Sequence, residues 1–181
     1  MQIFIDADGC PVTKIAAQIA AEHNIPCTVI CDTAHIISIP GVNAVTVDKG
    51  ADSVDFKLVN LIHKGDIAVT QDYGLAAMCL SKGAFVLHQD GKQYTEENIS
   101  GLLEFRAVAK KIRRAGGRLK GSPKRSPEQD QAFAASLRQM ILHWRIPTIQ
   151  YDLSDRINEN GLITYVKHYS QQSILSSSGS V

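Results

Sequence analysis

The stretch Gln2-Ile3-Phe4-Ile5-Asp6-Ala7-Asp8-Gly9-Cys10-Pro11 decides the fold. A short apolar run ends in one acid, a second acid follows two residues on, and the breaker-like Gly9 and Pro11 come next. Proline is tolerated at a helix start, and Val12, Ile15, Ala16, Ile19 and Ala20 then recur at helical spacing through His23. The segment therefore reads as strand, turn and helix, with Asp6 and Asp8 at the strand's C-terminal end.

Further strands and helices follow along the chain, with no internal repeat. Asn24-Ile25-Pro26 ends the first helix, and Cys27–Cys31 predicts a second buried strand. Ile36–Ile39 extends briefly before Pro40-Gly41, and Ala44–Val47 is a third short strand. From Asp52 to His63 the spacing is helical, with Val54, Leu58, Leu61 and Ile62 on one face, Asp52 suited to the start and Gly65 closing it. Asp66–Thr70 is the next apolar strand, running into Gln71-Asp72; Leu75–Ser81 is a helix and Ala84–Leu87 a fifth strand. Asp90-Gly91 signals a turn, and Thr95, which with Asn98 only approximates a capping box, opens a long helix to about Arg114. Strands alternating with helices predict an α/β fold, a mainly parallel sheet covered on both faces, with its core in residues 1–105. A Gly-, Lys-, Arg- and Pro-rich loop follows. Then comes a helix over residues 127–144 with Phe133, Leu137, Met140, Ile141 and Trp144 on one stripe. The expected domain is 1–146, and 147–181 is an extension with a poorly ordered polar end.

Composition is that of an ordinary globular chain, and no apolar run approaches the roughly 20 residues needed to cross a bilayer. The N-terminus enters directly on a strand-like run rather than a signal-peptide pattern, and Cys10, Cys27, Cys31 and Cys79 lack zinc-ribbon spacing. A soluble cytoplasmic protein with reduced thiols is expected. The net charge of +1 conceals a division. Met1–Glu104 carries 6 Lys+Arg against 13 Asp+Glu, whereas residues 105–125 carry 9 Lys+Arg and no acid. An acidic body is joined to a basic arm, and Lys and Arg in such number suit a phosphate backbone. Aromatic interleaving is poor there, with only Phe105, so stacking on single strands is not indicated.

Ligands of a parallel sheet bind outside the strand C-termini. Asp6 and Asp8 follow the first strand, Asp72 follows the strand ending at Thr70, and Asp48, Asp52 and Asp55 lie after the third. Such carboxylates repel one another unless a cation neutralises them, and hard oxygen donors suit Mg²⁺ or Mn²⁺. Each acid also has a plainer reading, since Asp after a strand commonly caps the next helix. Asp52 is the expected cap, which leaves Asp55 one turn on as the ligand; Asp48 and Asp66 are expected to be structural. Cys10 reads as a packed thiol beside the acids. His35 and His88 stand either near the crevice or on the surface.

Phe4-Ile5-Asp6-Ala7-Asp8-Gly9-Cys10-Pro11-Val12 and Gly65-Asp66-Ile67-Ala68-Val69-Thr70-Gln71-Asp72-Tyr73-Gly74-Leu75-Ala76 resemble the two signatures of the YaiI/YqxD family of uncharacterised bacterial proteins. Ala51-Asp52-Ser53-Val54-Asp55-Phe56, Tyr94-Thr95-Glu96-Glu97-Asn98-Ile99 and Lys120-Gly121-Ser122-Pro123-Lys124 resemble its further landmarks. That family is similar to PIN-like domains, which are nucleases with acidic metal sites at parallel strand ends. The resemblance implies a three-layer PIN-like core. It sets Asp6, Asp8, Asp55 and Asp72 as the catalytic and metal-holding acids of a nuclease acting on RNA more readily than on DNA. Arg113, Arg114, Lys120 and Lys124 of the arm would grip the nucleic acid. Two alternatives stand beside it. One is a non-catalytic RNA- or ribosome-associated binding protein. The other is a haloacid-dehalogenase-like phosphatase with Asp6 as nucleophile and Asp8 as acid/base, although that pattern expects Thr or Ser where Cys10 stands.

Overall fold

The computed structural model describes residues 1–8, 10–33, 38–48, 50, 52–117 and 124–145. Gly9, His35, Ile36, Ile37, Lys120 and the extension 147–181 lie outside the described residues. The site is carried by the compact unit Met1–Met140.

Strand β1 (Ile3–Asp6) is buried along its whole length because it is the middle of the sheet, with β2 (Cys27–Asp32) on one side and β4 (Ile67–Val69) on the other, both parallel to it. Outside these run β3 (Asn43–Val47), parallel to β2, and β5 (Phe85–Leu87), parallel to β4. With Gln93–Tyr94 as β6, the order is β3-β2-β1-β4-β5-β6. The chain fills one side of β1 with β2 and β3, then crosses to the other with β4. The topological switch point, where ligands of open α/β sheets bind, is therefore at the C-terminal ends of β1 and β4. Both strands lead straight into the two acid-bearing segments picked out from sequence.

Side chains alternate across a strand. Phe4 joins Ile30, Ala68 and Val86 on one face, where α2 (Ser53–Leu61), α3 (Tyr73–Ser81) and α4 (Glu96–Arg114) supply Leu58, Leu75, Ala76, Cys79 and Ile99 to a single apolar cluster. Asp6, two residues beyond Phe4, points the same way. Helix α1 (Thr13–Glu22) buries Ala16, Ala17, Ile19 and Ala20, and α5 (Pro127–Arg145) buries Phe133, Leu137 and Met140. An Arg138–Glu22 ion pair of 2.7 Å sets α5 beside α1. The result is an α/β protein with a six-stranded, mostly parallel sheet between helices, in agreement with a three-layer PIN-like core. Among the described residues no helix is long and apolar enough to cross a membrane.

Three details differ from expectation. Gln93–Tyr94 forms β6, antiparallel to β5, which two residues are too few to announce by periodicity. Thr95 and Asn98 complete a full reciprocal capping box: Thr95 Oγ1 accepts from the Asn98 N–H, and Asn98 Oδ1 accepts from the Thr95 N–H. Asn has the amide oxygen that Gln would supply, on a shorter stem. Ser38 and Ile39, expected to be extended, are not strand.

Candidate functional site

Asp6 closes β1 with its carboxylate buried at the switch point, at 6% exposure. Each oxygen accepts one hydrogen bond, Oδ2 from the Thr70 hydroxyl at 2.7 Å and Oδ1 from the Asp8 N–H at 3.2 Å. Thr70 Oγ1 in turn accepts from the Asp72 N–H at 3.0 Å, so the ends of β1 and β4 are laced together through one hydroxyl. Burial raises the Asp6 pKa, opposed by the Thr70 and Asp8 hydrogen bonds and reinforced by the Asp8 and Asp72 charges.

Asp72 is the N-cap of α3. Its Oδ1 accepts from Gly74 N at 2.6 Å and Leu75 N at 3.0 Å, and Arg106 of α4 reaches Oδ2 at 2.8 Å. A Cβ at Gly74 would stand 2.9 Å from Asp72 Oδ1, so glycine is what lets this cap close. The plain capping role and the proposed site role thus fall on the same carboxylate.

Asp52 takes the N-cap position of α2 but makes no side-chain cap; its φ is +61°, left-handed backbone that costs a non-glycine residue energy. The expectation of an Asp52 cap is corrected here: the left-handed turn carries the chain into α2 without using the carboxylate. Asp55, one turn into α2, has its pKa pushed up to about 6 by burial, then by the charges of Asp6, Asp72 and Asp52, with Arg106 opposing. That ranking describes one shared electrostatic site rather than four separate acids.

Asp6, Asp8, Asp55 and Asp72 line one cleft of about 630 Å³, together with Asp32, Asp52, Gln71, Arg106 and Arg113. Two of these residues escape sequence reasoning. Asp32 ends β2, where the apolar run alone predicts a stop at Cys31. Arg106 counts, from sequence, as one charge of an undivided arm. The spacing of Arg106 and Arg113, seven residues or nearly two full helical turns, is the signal that sets both on the cleft side of α4. Arg114, one residue on and about 100° around the helix, does not line the cleft, nor does Lys124. Lys120 is outside the described residues. Arg125 of the arm is a structural pin, bonded to Asp130 at 2.7 Å, Asp90 at 3.0 Å and the Gln89 carbonyl at 2.8 Å.

The remaining residues behave as structure. Asp66 sits at the opposite edge of the sheet, accepting from Gln2 N at 2.8 Å and His63 N at 2.9 Å. All four cysteines are free, and burial raises the Cys10 thiol, as fits a packed rather than reactive group.

As donors, the cleft acids fit a hard divalent cation: all are carboxylates, with no thiol or imidazole among the described lining residues. Among the described residues no three such side chains are spaced to hold a metal ion as they stand. Arg106 supplies counter-charge to one of these acids, Asp72. Mg²⁺ commonly keeps several waters and takes only one or two carboxylates, so a closed protein cage is not required.

A family model described as Uncharacterized BCR, YaiI/YqxD family, matches residues 4–143. The chain belongs to this family. Similar proteins include a UPF0178 protein of Clostridium acetobutylicum, 47% identical over 148 residues, covering 81% of this chain and 100% of the relative. A UPF0178 protein of Ruminiclostridium cellulolyticum is 51% identical over 141 residues, covering 78% of this chain and 92% of that one. One from Enterococcus faecalis is 48% identical over 145 residues, covering 78% and 97%. No solved structure matches. The YaiI/YqxD match takes in every described acid of the cleft, whereas residues 144–181 lie beyond it.

Proposed function

We propose that this YaiI/YqxD protein is a metal-dependent nuclease that hydrolyses phosphodiesters, in RNA rather than DNA. One observation carries the reading: six carboxylates at the switch point of a parallel sheet, faced by Arg106 and Arg113 in the same cleft. A purely acidic surface would repel a phosphate, whereas acids flanked by guanidinium groups accept a cation and a phosphodiester together. Asp6, Asp8, Asp55 and Asp72 are the catalytic and cation-holding set, with Mg²⁺ or Mn²⁺ as the cofactor. When bound, the ion would orient and activate water and stabilise the leaving oxygen. The chain's own contribution is to hold Asp6 fixed through Thr70 and the Asp8 N–H, and to present guanidinium groups to the phosphate. The preference for RNA rests on the likeness to PIN-like domains. The setting is the cytoplasm, where four free thiols stay reduced.

The test is direct. Purified full-length protein is incubated with labelled single-stranded RNA or DNA of one sequence, in Mn²⁺, Mg²⁺ or EDTA. RNA should be cut with the cation and left intact in EDTA, and DNA should be cut more slowly. Tight RNA binding without cleavage in any metal would replace the nuclease with the non-catalytic RNA-binding protein.

The arm makes a separate prediction. Replacing Arg113, Arg114, Lys120 and Lys124 with Ala should weaken RNA binding across sequences alike, since groups that meet only the backbone carry no base information. The slope of log affinity against log salt should become shallower by about 0.7 for each phosphate the variant no longer neutralises. Filter binding at several salt concentrations measures it. A variant binding as tightly as the parent throughout would reduce these four residues to a solvated charge run.

A further inference from the structure

A second cavity, of about 790 Å³, shares Gln71 and Tyr73 with the acidic cleft and is further lined by His88, Gln89, Tyr94 and Arg125. Gln71 and Tyr73 flank Asp72 in sequence, so the two spaces meet at the cap of α3. Its size is that of small-ligand pockets, which run from roughly 300 to 1,000 Å³.

Among the described residues, two side-chain polar atoms are buried without a hydrogen-bond partner, and both belong to residues of this lining: the hydroxyl of Tyr94 and Oε1 of Gln89. Tyr94 as a whole is only 3% exposed. Buried polar groups are overwhelmingly paired, so two orphans on residues that line one cavity call for partners that the described residues do not supply. Two neighbouring side chains, Arg125 and His88, already have partners. Arg125 is engaged with Asp130, Asp90 and the Gln89 carbonyl, which fixes the backbone of Gln89. His88 Nδ1 accepts from the Asp90 N–H at 3.1 Å, and burial lowers the pKa of its ring, with the Asp90 charge opposing. The Tyr94 ring meets Tyr73 and His88 edge to face, each at 5.9 Å between centroids.

We infer that this cavity is a nucleobase subsite, taking the base of a nucleotide whose phosphate lies in the adjoining acidic cleft. Planar aromatic walls suit a flat heterocycle, while a hydroxyl and a side-chain amide without partners suit its ring nitrogens and exocyclic groups. A free phosphate or an inorganic ion would leave the aromatic surface unused. The position of the subsite relative to the cleft rests on the nuclease reading, but its ability to bind a base does not.

The experiment therefore uses EDTA, where no cation-dependent step intervenes. Binding of the four nucleoside 5′-monophosphates, of ribose 5-phosphate and of a short oligoribonucleotide to the full-length protein is measured by calorimetry and ligand-observed NMR. Base-bearing ligands should bind at least about tenfold more tightly than ribose 5-phosphate. Tyr94→Phe, which deletes the orphan hydroxyl, should weaken them by about tenfold while leaving the melting temperature unchanged or raised, since no bond of the free protein is lost. Gln89→Leu should act alike, because Arg125 is held by the backbone carbonyl. A Tyr94 dependence seen with the oligonucleotide assigns the base to a strand, and one seen only with monophosphates assigns it to a free nucleotide. Equal binding of ribose 5-phosphate and the monophosphates, or no loss in either variant, overturns the subsite. Failure of metal-dependent cleavage alongside Tyr94-dependent binding would remove the nuclease and leave the subsite standing.

Discussion

Asp6→Asn should reduce Mn²⁺-dependent RNA cleavage by at least about 100-fold, since even outer-shell partners of metal ligands commonly cost 10–100-fold. Asn preserves the shape of Asp6 but removes its charge and one of its two acceptors. Of the donors now satisfied by Asp6, Thr70 Oγ1 and Asp8 N, it can accept from only one at the present geometry. Two effects on stability oppose each other. The orphaned donor costs free energy, and relief from burying a charge returns some, because burial is the largest cause of the raised Asp6 pKa. The variant should therefore stay folded at assay temperature, and its lost rate reports on chemistry. Asp66→Asn supplies the converse control. Its carboxylate serves Gln2 N and His63 N at the other edge of the sheet, so the melting temperature should fall while cleavage stays close to that of the parent. Cleavage by Asp6→Asn at the parent rate, measured well below its melting temperature, would remove Asp6 from the catalytic set.

The architecture is legible in the sequence because the strands that build the switch point are short apolar runs, the first ending in Asp6 and the other leading within three residues to Asp72. Ile3–Asp6 and the run to Thr70 announce both their buried state and their polarity, and the helices between them force a parallel connection. The site is legible only as far as residues lie next to strand ends. Asp32 is lost to a one-residue error at the end of β2, and strand ends are where periodicity says least. Arg106 is hidden by its company, since a run of like charges reads as one feature until helical spacing divides it into faces. Arg125 shows the converse, a charge that looks like part of an arm and is instead a pin between Asp90 and Asp130. Asp52 misleads because capping is a statement about φ and ψ as much as residue type, and a left-handed turn is not visible in composition. The cavity beside Tyr94 has no linear signal at all. Its orphaned hydroxyl depends on how β6 and α3 meet, and β6 itself is two residues long.

Asp55→Asn should have the opposite signature to an ordinary substitution: a metal-free protein that melts higher than the parent at pH 7 yet responds less to the cation. The sign follows from the direction of the shift. Asp55 is held at about 6 in the folded protein, above its ordinary value of 3.8. Below about pH 4 the carboxyl is protonated in both folded and unfolded chains and costs nothing. Between about pH 4 and 6 the unfolded chain ionises first, so folding loses stability as pH rises, and above about 6 the full penalty persists. A neutral Asn escapes it. Allowing for the solvent that reaches this half-buried group, the gain at pH 7 is on the order of 1–2 kcal/mol. For a chain of this size that is roughly 2–8 °C in melting temperature. Near pH 4 the parent and variant should converge. Adding Mg²⁺ or Mn²⁺ should raise the parent's melting temperature through preferential binding to the folded state. The rise should shrink in Asp55→Asn and in Asp8→Asn and be retained in Asp66→Asn. A variant less stable than the parent in EDTA at pH 7, or one with an undiminished cation response, would contradict the assignment. That pattern would mark an exchange of stability for function at a single side chain, with α2 carrying an acid that lowers the stability of the metal-free fold and raises its affinity for a cation.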